Sequence, residues 1–124
     1  MVDFFSKETI RSLRKLRQLK PDYFKAFMDW DDMVFKDGAL PAKTKELMGV
    51  AAAHVTACPW CIEDHVKRAI KQGATDEEIA EAAFVAMALR AGAAFAHSSI
   101  AMAVSDEQRA KAAAQGHDHE GHNH

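Results

Sequence analysis

Apolar positions recur along this chain at spacings of three and four residues almost from end to end, which is the period of an α-helix; strand-like alternation is nearly absent. Ile10, Leu13 and Leu16 mark the inward stripe of a first helix predicted over Ser6 to Leu19. Pro21 suits a first helical turn and opens a second helix, with Tyr23, Phe24, Phe27, Met28, Val34 and Phe35 near a 3.6-residue spacing. Lys36 to Leu40 reads as a loop. Pro41 opens a third helix that carries Glu46, Leu47, Val50, Ala51, His54 and Val55. The pattern breaks at Thr56-Ala57-Cys58, and Pro59 begins a fourth helix that ends near Gln72, with Gly73 as its stop. Thr75 with Glu78 forms a capping box for a fifth helix, apolar almost all round from Ile79 to Leu89. A sixth stretch follows Gly92 to about Ala114. The expected fold is all-α, about six helices in one domain over residues 1–115. Residues 116–124 are expected to form a disordered His-rich tail.

Charge changes this picture little. Sixteen basic and eighteen acidic residues leave a net charge of −2, which gives no reason to expect a nucleic-acid partner. The basic stretch over residues 7–20 reads as a solvated helix face. No apolar segment follows a basic start in the manner of a secretory signal, so a cytoplasmic location is expected. Residues 79–104 are apolar but Ala-rich, and Glu81, Arg90, Gly92, His97, Ser98 and Ser99 interrupt them. They fit helices buried within a protein or between subunits better than a membrane span. So much apolar surface on two helices of a 124-residue chain predicts a symmetric homo-oligomer.

The candidate chemistry sits on the fourth helix. Cys58, Cys61, Ile62, His65, Val66, Ala69 and Ile70 share one helical face, and Glu63, Asp64, Lys67, Arg68 and Lys71 take the other. Cys58 lies at or near the N-cap and Cys61 in the first turn, where unpaired backbone N–H groups and the helix dipole favour thiolate. His65 is four residues beyond Cys61, so the imidazole can take the thiol proton or pair with the thiolate. Three residues apart, the sulfurs can also close a disulfide, one attacking and the other resolving. Spacing does not decide which sulfur attacks.

Zinc is the competing reading of the same residues. His54, Cys58, Cys61 and His65 supply two nitrogens and two sulfurs, a structural-zinc ligand set. All four fall within twelve residues on one helical stretch, which makes tetrahedral closure difficult. The tail offers His117, His119, His122 and His124, a ligand density that can bind Zn, Ni or Cu. His54 and His97 read as hydrogen-bonded histidines rather than catalysts.

From Glu46 to His65 the chain reads E-LMGVAAAHVTA-C-PW-C-IED-H. This resembles the core motif E-x11-C-x2-C-x3-H of the AhpD-like alkyl hydroperoxidases, in the carboxymuconolactone decarboxylase superfamily, and the resemblance covers about residues 40–105. It implies an all-α homo-oligomer, often a trimer or hexamer, and a thiol-dependent peroxidase that reduces hydroperoxides. No cofactor beyond a redox-active Cys58–Cys61 disulfide is implied, and the reductant would be a dithiol or thioredoxin-like protein. By the same resemblance Cys61 is the peroxide-attacking cysteine and Cys58 the resolving one. His65 and Glu46 form the proton relay, Glu46 acting through a water. Some members carry a His just before the second cysteine; here that position is Trp60, which cannot relay a proton. Decarboxylating members of the superfamily generally lack the cysteine pair, so a non-redox enzyme of that type is an alternative, as is a metal-binding module.

Overall fold

The computed structural model describes residues 1–3 and 5–122, with side chains from residue 117 onward outside the description. Its elements are α1 (Lys7–Arg11), α2 (Leu13–Leu19), α3 (Pro21–Phe35), α4 (Ala42–Val55), α5 (Pro59–Lys71) and α6 (Asp76–His122). Among the described residues there is no strand, so the fold is all-α. The chain divides into two compact units, Met1–Glu46 and Leu47–His124.

In the first unit, Ser6 caps α1 by accepting the Thr9 N–H at 3.1 Å. The single helix expected over Ser6 to Leu19 is instead split at Ser12. Its hydroxyl turns back toward the Glu8 carbonyl at 3.5 Å, and its N–H bonds the Thr9 carbonyl at 3.0 Å. Such back-bonding is a usual cause of a bent or interrupted helix. Pro21 opens α3 as the sequence predicts. The end of α3 is held by Lys45, whose ammonium donates to the Val34 carbonyl at 2.8 Å and the Lys36 carbonyl at 2.7 Å. A cation at these orphan carbonyls satisfies hydrogen bonds that the helix itself cannot make. Asp37 does the reciprocal service for the start of α4, accepting the Ala42 N–H at 2.7 Å. The stripe predicted to point inward does not do so in the single chain: Leu13, Leu16, Tyr23 and Phe27 are all more than half exposed.

In the second unit, α5 ends as Gly73 predicts. The Ala74 N–H bonds the Ala69 carbonyl, the Gly73 N–H bonds the Ile70 carbonyl, and Gly73 has φ 88°. These are the two bonds of a Schellman cap. The capping box of α6 is complete: Thr75 N–H to Glu78 Oε1 at 3.0 Å, and Glu78 N–H to Thr75 Oγ1 at 3.1 Å.

The expected break at Gly92 does not occur. α6 runs without interruption through it, because Ala-rich flanks and the absence of proline outweigh a glycine penalty of about 1 kcal/mol. Every residue of α6 from Met87 to Val104 is exposed in the single chain. The stretch Asp76–Gly116 is also long and apolar enough to cross a membrane, by length and composition alone. Val50, Ala53, Ala69 and Ala86 are the apolar residues this unit buries.

Candidate functional site

The joint between α4 and α5 fixes both cysteines. At the end of α4 the Cys58 N–H bonds the Ala53 carbonyl at 3.0 Å, and the Ala57 N–H bonds the His54 carbonyl at 3.3 Å. This too is a Schellman pattern, but the left-handed position that usually holds glycine is Ala57, at φ 56°. A non-glycine residue there costs about 1–2 kcal/mol. The next residue closes one helix and opens the other. Cys58 Sγ accepts the Cys61 N–H at 3.3 Å as the N-cap of α5, and Pro59 fills the first turn. From the far side, Arg90 of α6 donates to the Val55 carbonyl at 3.0 Å, satisfying one of the last carbonyls of α4.

Cys58 and Cys61 are joined as a disulfide, with Cα atoms 5.3 Å apart, and both are half-buried. Trp60 stands between them, 37% exposed. The predicted inner face of α5 holds for Cys58, Cys61, Ile62, His65, Val66 and Ala69, all buried or half-buried. It fails for Ile70, which is 54% exposed. On the outer face, Lys67 pairs with Glu63 at 2.8 Å and Arg68 with Asp64 at 3.2 Å. The Glu63 carboxylate, as hydrogen-bond and charge partner, raises the Lys67 pKa.

His65 lies against the backbone of α4. A Cβ atom at Gly49 would stand 2.8 Å from its Nδ1 and 2.9 Å from its Cγ. Sequence reasoning passed over Gly49, although a glycine inside a helix costs about 0.5–1 kcal/mol relative to alanine and so signals a packing reason. Arg90 and Ala57 were also missed, and neither carries a local sequence signal.

Glu46, in the first unit, is 4% exposed. It is therefore not a solvated surface carboxylate. No buried side-chain nitrogen or oxygen among the described residues lacks a hydrogen-bond partner. The histidines read as hydrogen-bonded are so: His54 Nδ1 donates to the Val50 carbonyl at 2.8 Å, and His97 Nδ1 to the Ala93 carbonyl at 2.7 Å. No group of three or more His, Cys, Asp or Glu side chains among the described residues is arranged to hold a metal ion. The side chains of His117, His119, His122 and His124 lie outside the described residues.

Residues 21–105 match the model of the carboxymuconolactone decarboxylase family. The chain belongs to this family. The AhpD-like resemblance read from Glu46 to His65 falls inside the matched span. A family relative, protein 4 in the cox locus of Paracoccus denitrificans, is 58% identical over 82 residues, which cover 66% of this chain and 74% of that protein. Two crystal structures among those similar to this chain carry the family description. A carboxymuconolactone decarboxylase family protein of Thermotoga maritima is 43% identical, covering 54% of this chain and 69% of that one with a TM-score of 0.52. Another, from Legionella pneumophila, is 36% identical, covering 67% and 74% with a TM-score of 0.61.

Proposed function

We propose that this family member is a thiol-dependent peroxidase that reduces hydroperoxides by means of Cys58 and Cys61. The observation that carries the reading is the disulfide at the start of α5, with the half-buried His65 one helical turn beyond Cys61. Family membership supports it, and the Thermotoga maritima relative is described with a suggested involvement in antioxidative response.

In the reduced enzyme, His65 takes the proton of Cys61, and Glu46 serves the same relay. The Cys61 thiolate attacks the terminal oxygen of the hydroperoxide. The O–O bond breaks, the alcohol leaves with a proton, and Cys61 becomes a sulfenic acid. Cys58, favoured as thiolate by the N–H group it caps, attacks that sulfur. Water leaves and the disulfide forms. A dithiol of thioredoxin-like type returns the pair to thiols by exchange, becoming a disulfide itself. A reducing compartment such as the cytoplasm supplies such a reductant.

The attacking cysteine can be trapped. In the Cys58→Ser protein the sulfenic acid has no resolving partner, so a dimedone-type probe should label Cys61 after one equivalent of cumene hydroperoxide, located by peptide mass spectrometry. Labelling of Cys58 in the Cys61→Ser protein instead would reverse the two roles. No labelling of either variant would remove the peroxidase reading.

A further inference from the structure

We propose that Gly49 is a positioning residue for the thiol site: its missing side chain leaves the slot in which the His65 imidazole lies. The catalytic consequence rests on the peroxidase reading above; the seating is a matter of geometry. A Cβ at position 49 would stand 2.8 Å from Nδ1, 2.9 Å from Cγ and 3.2 Å from Cε1 of His65. Carbon contacts settle at about 3.5–4.0 Å, so three ring atoms lie where a methyl group would have to be. The backbone of α4 therefore serves as one wall of the imidazole's position.

The chain makes this choice against local preference. α4 carries alanine at 42, 51, 52 and 53, and glycine is the poorest helix former after proline. Gly92, inside α6, is the natural contrast, because a Cβ there would meet nothing within 4 Å in this chain. The same substitution at two helix-interior glycines should thus have different results. At 49 the group that must yield is a ring at the end of a side chain, not backbone. Gly49→Ala should keep α4 and α5 and displace the imidazole. A general base must lie within about 2.6–3.2 Å, heavy atom to heavy atom, of the group whose proton it takes, so a modest displacement reaches the chemistry without touching a cysteine.

The test uses the full-length protein and two readouts. Long-range 1H–15N spectra, with the His65 ring assigned through His65→Ala, should show the His65 resonances shifted in Gly49→Ala and those of His54 and His97 in place. The variant should melt no lower than the parent. Oxidation of the reduced protein by cumene hydroperoxide should slow about 10–100-fold near neutral pH, the scale of a misplaced catalytic group, and the deficit should shrink as pH rises. In the His65→Ala background Gly49→Ala should add no further loss, since no ring remains to displace. Gly92→Ala should leave the His65 resonances unchanged. Unmoved His65 resonances in Gly49→Ala would overturn the inference. So would an equal rate loss in the His65→Ala background. If Gly49→Ala folds poorly, recovery of folding in the double variant identifies the same slot, and failure of both overturns it. A parent protein that does not consume hydroperoxide removes the peroxidase reading instead, and the ring resonances still decide the seating.

Discussion

At the residue scale the site depends on what ionises a cysteine. In the proposed mechanism two sources act on different sulfurs: the first turn of α5 presents an N–H to Cys58 Sγ, and His65 lies one turn beyond Cys61. The attacking thiol of that mechanism, Cys61, therefore leans on the imidazole. His65→Ala should react with hydroperoxide about 10²–10⁴-fold more slowly near neutral pH, the usual worth of general-base assistance. The deficit should fall as pH rises, because hydroxide then performs the deprotonation. Glu46→Gln should act in the same direction with a smaller loss. Stopped-flow rates from pH 6 to 9 check both, and a pH-independent deficit would argue that His65 is structural. Cys58, Cys61 and His65 were legible in the sequence because a 3.6-residue period puts them on one face. The burial of Glu46 was not, because spacing along a helix does not reveal what covers it. Gly49 was visible only as an anomaly, a glycine among helix-favouring residues.

At the element scale, the helix boundaries that carry strong local chemistry appear where the sequence puts them. Pro21 and Pro59 start helices, Gly73 stops one, and Thr75 with Glu78 caps another. Boundaries set by competition were misread. Ser12 breaks a helix through its own hydroxyl, whereas Gly92 breaks none because alanines surround it. The α4–α5 joint is the element on which the site depends, and Ala57 is its weak point, an alanine in a glycine conformation. Ala57→Gly should relieve about 1–2 kcal/mol of left-handed strain against about 0.5–1 kcal/mol of added unfolded-chain entropy. The expected outcome is a net gain of at most about 1.5 kcal/mol, read as a higher urea midpoint at unchanged slope. A lower midpoint would mean that the Ala57 methyl contributes packing that outweighs its backbone cost.

At the scale of the whole molecule, the single chain leaves too much apolar surface uncovered. Phe84, Val85, Met87, Leu89, Phe95, Ile100, Met102 and Val104 are each more than half exposed along α6. Soluble monomers rarely show contiguous apolar patches beyond a few hundred Å². We therefore expect α6 to be covered by further copies of the chain in a closed, symmetric assembly. Such an assembly would also cover the exposed stripes: Leu13, Leu16 and Ile70 have helical periodicity, which identifies a face to be covered but not which chain covers it. Sedimentation at micromolar concentration should give a trimer or a larger closed oligomer, and Phe95→Asp should dissociate it. A stable monomer would contradict this.

If the cysteine pair is the redox centre, its oxidation has a fixed stoichiometry. The fully reduced protein is treated with one equivalent of cumene hydroperoxide, with and without a chelator, and free thiols and cumyl alcohol are counted. Two thiols should disappear per chain and one alcohol should appear, and mass spectrometry should find Cys58 and Cys61 joined within a single peptide, with the chelator making no difference. Two persistent free thiols beside unconsumed hydroperoxide would contradict it.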